Sequence, residues 1–399
     1  MLKSLLKTKK LNFIFVKMIG ELVIIGKAGT GKTHRLAQII HSAIENKQSF
    51  IVCGPTHNSI ENLRKRCNFK NNEYDKNFRT IYSFFRINYI TGEFAGLTEK
   101  DKKDKDILII DEISMIEKKL FKQIYRIANK YFSSIILCGD PLQLNPIYRE
   151  KQYISFKKLS RYLEHCTNAK VIEHYANSIF STSIVKNMKH EVLTKNYRSN
   201  DECMKIIENV LYSDGSLAKF IFYDDLIKKL GKKECTLIAS NYEVLQKFYT
   251  ESIHDPEEYT IVKQKCGSAG FKQLYLKEGE SYRILETNDN FYNGEIVELK
   301  NIFEGYIRLG KSNGECITVG MNNDVYNIGP INYITIHKSQ GLSVDHVVLC
   351  VDNLFNIAML YTGMTRCVKS LLFYSKENDK LQVLNNAKPP VEYYNNALL

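Results

Sequence analysis

From residue 18 onward the chain alternates short unbroken apolar runs with stretches in which apolar residues recur every three or four positions. The runs at 22–25, 50–53, 107–110 and 134–138 have the length and continuity of strands buried on both faces. Between them Leu36, Ile39, Ile40, Ala43 and Ile44 share one helical face, as do Ile116, Leu120, Ile124 and Ile127. Strands alternating with helices in this way predict an α/β fold with a parallel sheet covered on both sides. A second series begins near Glu191, with strands expected at 236–239, 331–335, 347–351 and 371–374. Between 266 and 330 the texture changes to short alternating runs broken by Asn293-Gly294, Gly305, Gly310 and Asn313-Gly314, which are hairpin-type turn signals. The expected organisation is therefore a first α/β domain over 18–190 and a second over 191–399, with a small β module inserted at about 266–330.

Composition bounds this picture. With 399 residues, 44% hydrophobic and 25% charged, the chain is of ordinary globular type and long enough for two main domains. Lys+Arg 56 against Asp+Glu 44 leaves +12, a balance that suits polyanionic partners without fixing one. Ten cysteines are scattered singly with no Cys-x-x-Cys pair, which argues against zinc knuckles and an oxidised framework and for a reducing compartment such as the cytoplasm of a cell or host. No apolar run approaches the roughly 20 residues of a membrane-spanning helix. Residues 1–17 carry five lysines and no acidic residue, and read as a basic extension with Met18 as an alternative start; an organelle transit peptide is the other reading. The segment after 381, with Pro389-Pro390, reads as a poorly ordered terminus.

The chemistry concentrates first at Gly26-Lys27-Ala28-Gly29-Thr30-Gly31-Lys32-Thr33, a G-x-x-x-x-G-K-T run between an expected strand and an expected helix. Such a loop offers backbone N–H groups and a helix N-terminus to a phosphate chain, with Lys32 for the β and γ phosphates and the Thr33 hydroxyl for Mg²⁺. The second element is the strand 107–110 ending in Asp111-Glu112. Asp111 suits Mg²⁺ and Glu112 suits activation of water, which hydrolysis needs and simple nucleotide binding does not.

From Gly26 to Arg366, in order, the motifs resemble those of superfamily 1 helicases, most closely the RecD/Dda branch. Ile110-Asp111-Glu112-Ile113-Ser114-Met115 resembles the second motif, and Gly139-Asp140-Pro141-Leu142-Gln143-Leu144-Asn145-Pro146 the third, which implies that Gln143 senses the γ phosphate. Leu193-Thr194-Lys195-Asn196-Tyr197-Arg198-Ser199 is similar to the fourth motif of UvrD-like relatives, implying Tyr197 on the adenine and Arg198 on the γ phosphate. Tyr361-Thr362-Gly363-Met364-Thr365-Arg366 resembles the sixth, which makes Arg366 the expected arginine finger. The resemblance implies two RecA-like domains and an SH3-like β insertion.

Ile334-Thr335-Ile336-His337-Lys338-Ser339-Gln340-Gly341 resembles the fifth motif of that branch. It implies backbone contacts to the nucleic acid from Thr335, His337, Lys338 and Ser339, with Gln340 and Gly341 turned toward the nucleotide. Gly54-Pro55-Thr56-His57 resembles motif Ia, giving Pro55, Thr56 and His57 as strand contacts. In Thr80-Ile81-Tyr82-Ser83-Phe84-Phe85, Thr80 and Phe84 are candidate strand contacts, with core packing the competing reading for the aromatics. Asn288 and Asn293-Gly294 match the pattern of the SH3-like barrel and favour 5′ to 3′ polarity. A short insertion at about 86–105, centred on Thr91-Gly92-Glu93, is either a duplex-splitting hairpin or a connecting loop. The chain departs from the family in having no glutamine before Gly26, where the adenine-reading residue is expected, and in having Gly363 in the sixth motif. The expectation is a monomeric ATP- and Mg²⁺-dependent DNA helicase on single-stranded DNA and duplex forks, serving replication, recombination or repair. The alternatives are a translocating ATPase without efficient unwinding and an ATP-binding subunit of a recombination nuclease.

Overall fold

The structure is a computed structural model that describes residues 20–146 and 178–384, apart from 70–72, 89–92, 96, 98–104, 265–269, 287–289, 321–327, 353, 355–356 and 382–383. The basic extension, Thr91-Gly92, Asn288 and the terminal segment thus lie outside the described residues. The chain divides into two compact units between Tyr197 and Arg198.

The first unit is built on a six-stranded parallel sheet in the order β3-β2-β4-β5-β1-β6. Its strands are β1 (Glu21–Gly26), β2 (Phe50–Gly54), β3 (Phe78–Thr80), β4 (Lys105–Ile110), β5 (Phe132–Gly139) and β6 (Lys189–Leu193). Because side chains alternate along each strand, the apolar runs feed two cores. Val23, Ile51, Leu108 and Leu137 enter the one that includes Phe121 and Ile124 of the helix Lys118–Tyr131. Leu22, Phe50, Ile107 and Ile136 enter the other, with Leu36, Ile39 and Ile40 of the helix Lys32–Glu45 and Leu63 of the helix His57–Cys67. Parallel pairing puts the C-terminal ends of β1, β2, β4 and β5 along one sheet edge, so Gly26, Gly54, Asp111 and Gly139 all leave from that edge, where open α/β sheets place their ligands.

One boundary differs from the expected one. Residues 189–193 pair with β1 from Leu22↔Lys189 to Gly26↔Leu193, so the second α/β series does not begin at Glu191. The strand is an edge strand with its side chains largely exposed, and its place is set by pairing to β1 rather than by an apolar pattern of its own.

The second unit has a four-stranded parallel sheet in the order β15-β7-β16-β17, from β7 (Thr236–Ala239), β15 (Tyr333–Thr335), β16 (Val344–Cys350) and β17 (Cys367–Tyr374). The turn-rich stretch forms a hairpin, β8 (Thr260–Lys263) with β9 (Gln273–Leu276), and a five-stranded antiparallel sheet in the order β13-β12-β11-β10-β14. Its strands are β10 (Ser281–Ile284), β11 (Ile296–Phe303), β12 (Tyr306–Gly310), β13 (Cys316–Gly320) and β14 (Ile328–Pro330). Gly294, Gly305 and Gly314 take positive φ at its turns, whereas Gly310 ends β12. Buried residues of the helix Tyr242–Glu251 and of this module, among them Phe248, Tyr249, Phe271, Tyr282 and Leu299, form one continuous core. The module therefore packs into the core of its host rather than around a separate one of its own.

Among the described residues no helix is long and apolar enough to cross a membrane. Seven described cysteines are buried free thiols, and Cys316 at the start of β13 is exposed.

Candidate functional site

At the end of β1 the chain turns through Gly29 (φ 82) and Gly31 (φ 86) into the helix Lys32–Glu45. Left-handed backbone at both positions explains the glycines. A Cβ on Gly26 would lie 2.4 Å from Thr30 Oγ1, so that glycine is required by crowding instead. The helix begins without a side-chain cap, which leaves its first N–H groups to other acceptors. The loop is folded onto itself: the Thr30 hydroxyl donates to Lys27 O at 2.7 Å, and the buried Lys32 ammonium donates to Gly26 O at 2.7 Å and Lys27 O at 3.1 Å. The Arg35 guanidinium makes a two-pronged ion pair with Glu191 on β6, tying the loop's helix to the neighbouring strand. Thr33 is half-buried in the first helical turn.

Asp111 and Glu112 follow β4. Asp111 is buried, and burial, then the Glu112 carboxylate beside it, lift its carboxyl to about 7 against the opposing pull of the Glu112 amide, the Lys32 ammonium and the Cys138 thiol. Its Oδ1 accepts from Glu112 N at 2.8 Å. Glu112 adopts φ 50, ψ 44, a left-handed conformation that costs a non-glycine residue energy, and its Oε2 is buried without a hydrogen-bond partner. These carboxylates fit a divalent cation: a raised buried acid and an orphaned carboxylate oxygen stand in the first unit with the half-buried hydroxyl-bearing Thr33. No group of three His, Cys, Asp or Glu residues converges among the described residues, so phosphates and water would complete the shell, as Mg²⁺ prefers.

Gln143 is buried after β5. Its backbone N donates to Asp140 O at 3.2 Å and its side-chain Nε2 to Asp140 Oδ2 at 3.4 Å, while Leu142 N holds Asp140 Oδ1. The segment after β6 returns to the glycine loop. Asn196 Nδ2 donates to Ala28 O at 3.0 Å, Tyr197 N donates to Gly29 O at 2.8 Å, and the Tyr197 ring, 69% exposed, lies against Gly31. The sequence reading named Tyr197 and Lys32 but missed the roles of Asn196, Arg35 and Cys138. Asn196 stands inside the quoted fourth-motif run, yet nothing local signals an amide that reaches back 168 positions.

In the second unit Arg198 is half-buried and donates from Nη1 to Thr365 O at 3.0 Å. Arg366 is 1% exposed; its Nε donates to Thr362 O, its Nη1 to Leu342 O and its Nη2 to Thr365 Oγ1. The expected finger is thus enclosed by carbonyls of its own unit. Thr335 caps the helix Ile336–Ser339 by accepting from Lys338 N, and Ser339, fully buried, donates to Ile336 O at 2.7 Å. Half-buried His337 is held below its ordinary pKa by burial. Lys338 is lowered for the same reason, and its Nζ reaches Leu285 O beside β10. Gln340 is half-buried, and Gly341 has φ 82 with open space where a Cβ would stand.

Three strand contacts are corrected. Phe84 is 3% exposed and stacks edge-on against Phe85 at 5.0 Å, so it is a core residue and offers no face to a base. The hydroxyls of Thr80 and Ser339 are enclosed as well, Thr80 capping the helix Ile81–Phe85. Thr56 also caps a helix, by accepting from Ser59 N, but it is exposed together with His57, beside half-buried Pro55.

Two parallel-sheet units, the first with a glycine loop and an Asp-Glu pair at its ligand edge, define a two-domain P-loop NTPase of the RecA-like class. A family model described as AAA domain matches residues 17–149. The RecBCD enzyme subunit RecD of Buchnera aphidicola is 26% identical, with 96% of this chain and 75% of that protein covered. The ATP-dependent DNA helicase dda of Enterobacteria phage T4 is 34% identical over 143 residues, 34% of this chain and 31% of its own length. A crystal structure of Pif1 helicase from Bacteroides with ADP-AlF3 and ssDNA shares the fold, with TM-score 0.60 at 20% identity over 91% of this chain and 90% of that one. The chain is thus similar to proteins of the RecD, Pif1 and Dda helicase types.

Proposed function

We infer that the chain is an ATP-driven motor on single-stranded DNA that moves 5′ to 3′ and couples ATP hydrolysis to duplex unwinding. The observation that carries the reading is the meeting, at one sheet edge, of the glycine loop with the Asp111-Glu112 pair, whose buried Asp111 carboxyl feels the Lys32 ammonium. In this reading the loop N–H groups and the Lys32 ammonium bind the β and γ phosphates, which requires Lys32 to exchange the Gly26 and Lys27 carbonyls for phosphate oxygens. Asp111 and the Thr33 hydroxyl would hold Mg²⁺, whose charge would offset that of the phosphates. Glu112, strained and with one oxygen unpartnered, takes a proton from the attacking water. Gln143, oriented by Asp140, reports the γ phosphate, and Tyr197 offers its exposed ring to the base.

Arg198 and Arg366 supply positive charge for the transferring phosphoryl group. Both must first release carbonyl partners, so turnover waits on a rearrangement within the second unit. Strand contacts fall to exposed Thr56 and His57 with Pro55, and to His337 and Lys338; Thr335 acts by shaping the turn that presents them. The antiparallel module at 281–330 is read as the SH3-like insertion that the resemblance implies. In this reading the short segment between Arg86 and Lys105 is the element that splits the duplex during unwinding. Strand displacement on forked duplexes bearing a 5′ or a 3′ tail tests it: displacement only with the 5′ tail is expected. Displacement driven from the 3′ tail would sink the polarity, and ATP hydrolysis without displacement would leave a translocase.

A further inference from the structure

We propose that Asn196 is a positioning residue that sets the phosphate-binding shape of the glycine loop. The inference rests on the nucleotide-site reading above. Four consecutive loop carbonyls are each held: Gly26 O by Lys32 Nζ, Lys27 O by Thr30 and Lys32, Ala28 O by Asn196 Nδ2, and Gly29 O by Tyr197 N. The first two are held from within the loop. The last two are held from residues 196–197, which follow β6.

The reason such hooks matter is geometric. In a trans peptide the C=O of one residue and the N–H of the next point in opposite directions. Holding Ala28 O toward Asn196 therefore aims the Gly29 N–H away from residues 196–197 and into the loop. Gly29 sits at φ 82 and has no Cβ, so rotation of the peptides on either side of it meets little steric resistance. A loop of this kind binds anions through the direction of its N–H groups, and a peptide that flips presents an oxygen to the phosphate instead. The glycines that let the backbone approach the phosphate also leave it free to turn the wrong way, and the Asn196 amide removes that freedom. The ring of Tyr197, with its Cδ2 3.6 Å from where a Gly31 Cβ would stand, closes the same side of the loop.

The test uses the full chain with a fluorescent ADP analogue and steady-state ATPase assays. Asn196→Ala is expected to weaken nucleotide binding roughly 3- to 10-fold, the worth of one hydrogen bond in a site of this kind. Asn196→Asp keeps the shape but turns an oxygen toward Ala28 O, and should weaken binding at least as much. In both variants KM for ATP rises while kcat stays within about twofold of the parent, and the melting temperature without nucleotide falls by only a few degrees, the share of one part-buried hydrogen bond. A residue that merely supported the fold would lower the melting temperature and kcat together, and that result overturns the proposal. Unaltered affinity in Asn196→Asp, in an experiment where Lys32→Ala abolishes binding, overturns it alone. Unaltered affinity in both Asn196→Asp and Lys32→Ala overturns it together with the nucleotide site on which it rests.

Discussion

The two parallel-sheet units treat their functional polar groups in opposite ways. In the first, Glu112 is strained and keeps an unpartnered buried oxygen, and Asp111 is driven toward its neutral form. In the second, Arg366 is satisfied by two carbonyls and a hydroxyl, Arg198 reaches Thr365 O, and Lys338 reaches Leu285 O. The first unit is poised to gain by binding something positively charged or protonated. The second must give up internal bonds before its cations can act elsewhere. One unit stores its cost in the resting state, and the other holds its cations satisfied there.

Four substitutions would break or sharpen that contrast. The largest effect is expected of Lys32→Ala, which should leave DNA-stimulated ATPase activity at background with the fold intact; full activity would remove the glycine loop from the reaction. Arg366→Ala should slow turnover by roughly 10³-fold with near-normal ATP binding. Because it strands buried carbonyls, it should also destabilise the protein by about 1–3 kcal/mol in denaturant titrations. Unchanged turnover would make Arg366 a structural residue only. Glu112→Gly divides function from stability: turnover should fall about 10²-fold or more, while relief of the left-handed strain adds about 1 kcal/mol of stability. A loss of stability there would contradict the strained resting state.

The fourth substitution reads out as a pH dependence of stability rather than as a change in turnover. The folded pKa of Asp111 lies above its ordinary value, so between that value and about 7 the folded state keeps a proton that the unfolded chain has lost. Stability therefore falls as pH rises through this window. Without nucleotide or divalent cation, the melting temperature of Asp111→Asn relative to the parent should climb from about pH 4 to about pH 8. A difference that stays flat with pH would remove the burial cost assigned to Asp111.

Much of this was legible in the chain. Unbroken apolar runs place β1, β2, β4 and β5 because a strand buried on both faces has no polar position to spare, and the G-x-x-x-x-G-K-T run carries its own geometric reason for each glycine. The turn signals located the antiparallel module. What escaped depends on contacts distant in sequence. β6 is fixed by register to β1, and the burial of Phe84 depends on Phe85 and Phe132 closing over it, since an aromatic pair reads the same whether it faces solvent or core. Arg366 could be picked out as an arginine in a motif, but its bond to Leu342 O joins it to a turn 24 positions away that no local pattern announces. Asn196 matters through partners 168 positions away.

The distribution of sulfur has a practical corollary. Burial holds the thiols of Cys53, Cys67, Cys138, Cys203, Cys235, Cys350 and Cys367 above their ordinary pKa, which leaves them short of both solvent and thiolate. Among the described residues Cys316 is the cysteine open to solvent. Among the described thiols a maleimide dye would find it first, and would report from the edge strand of the antiparallel module.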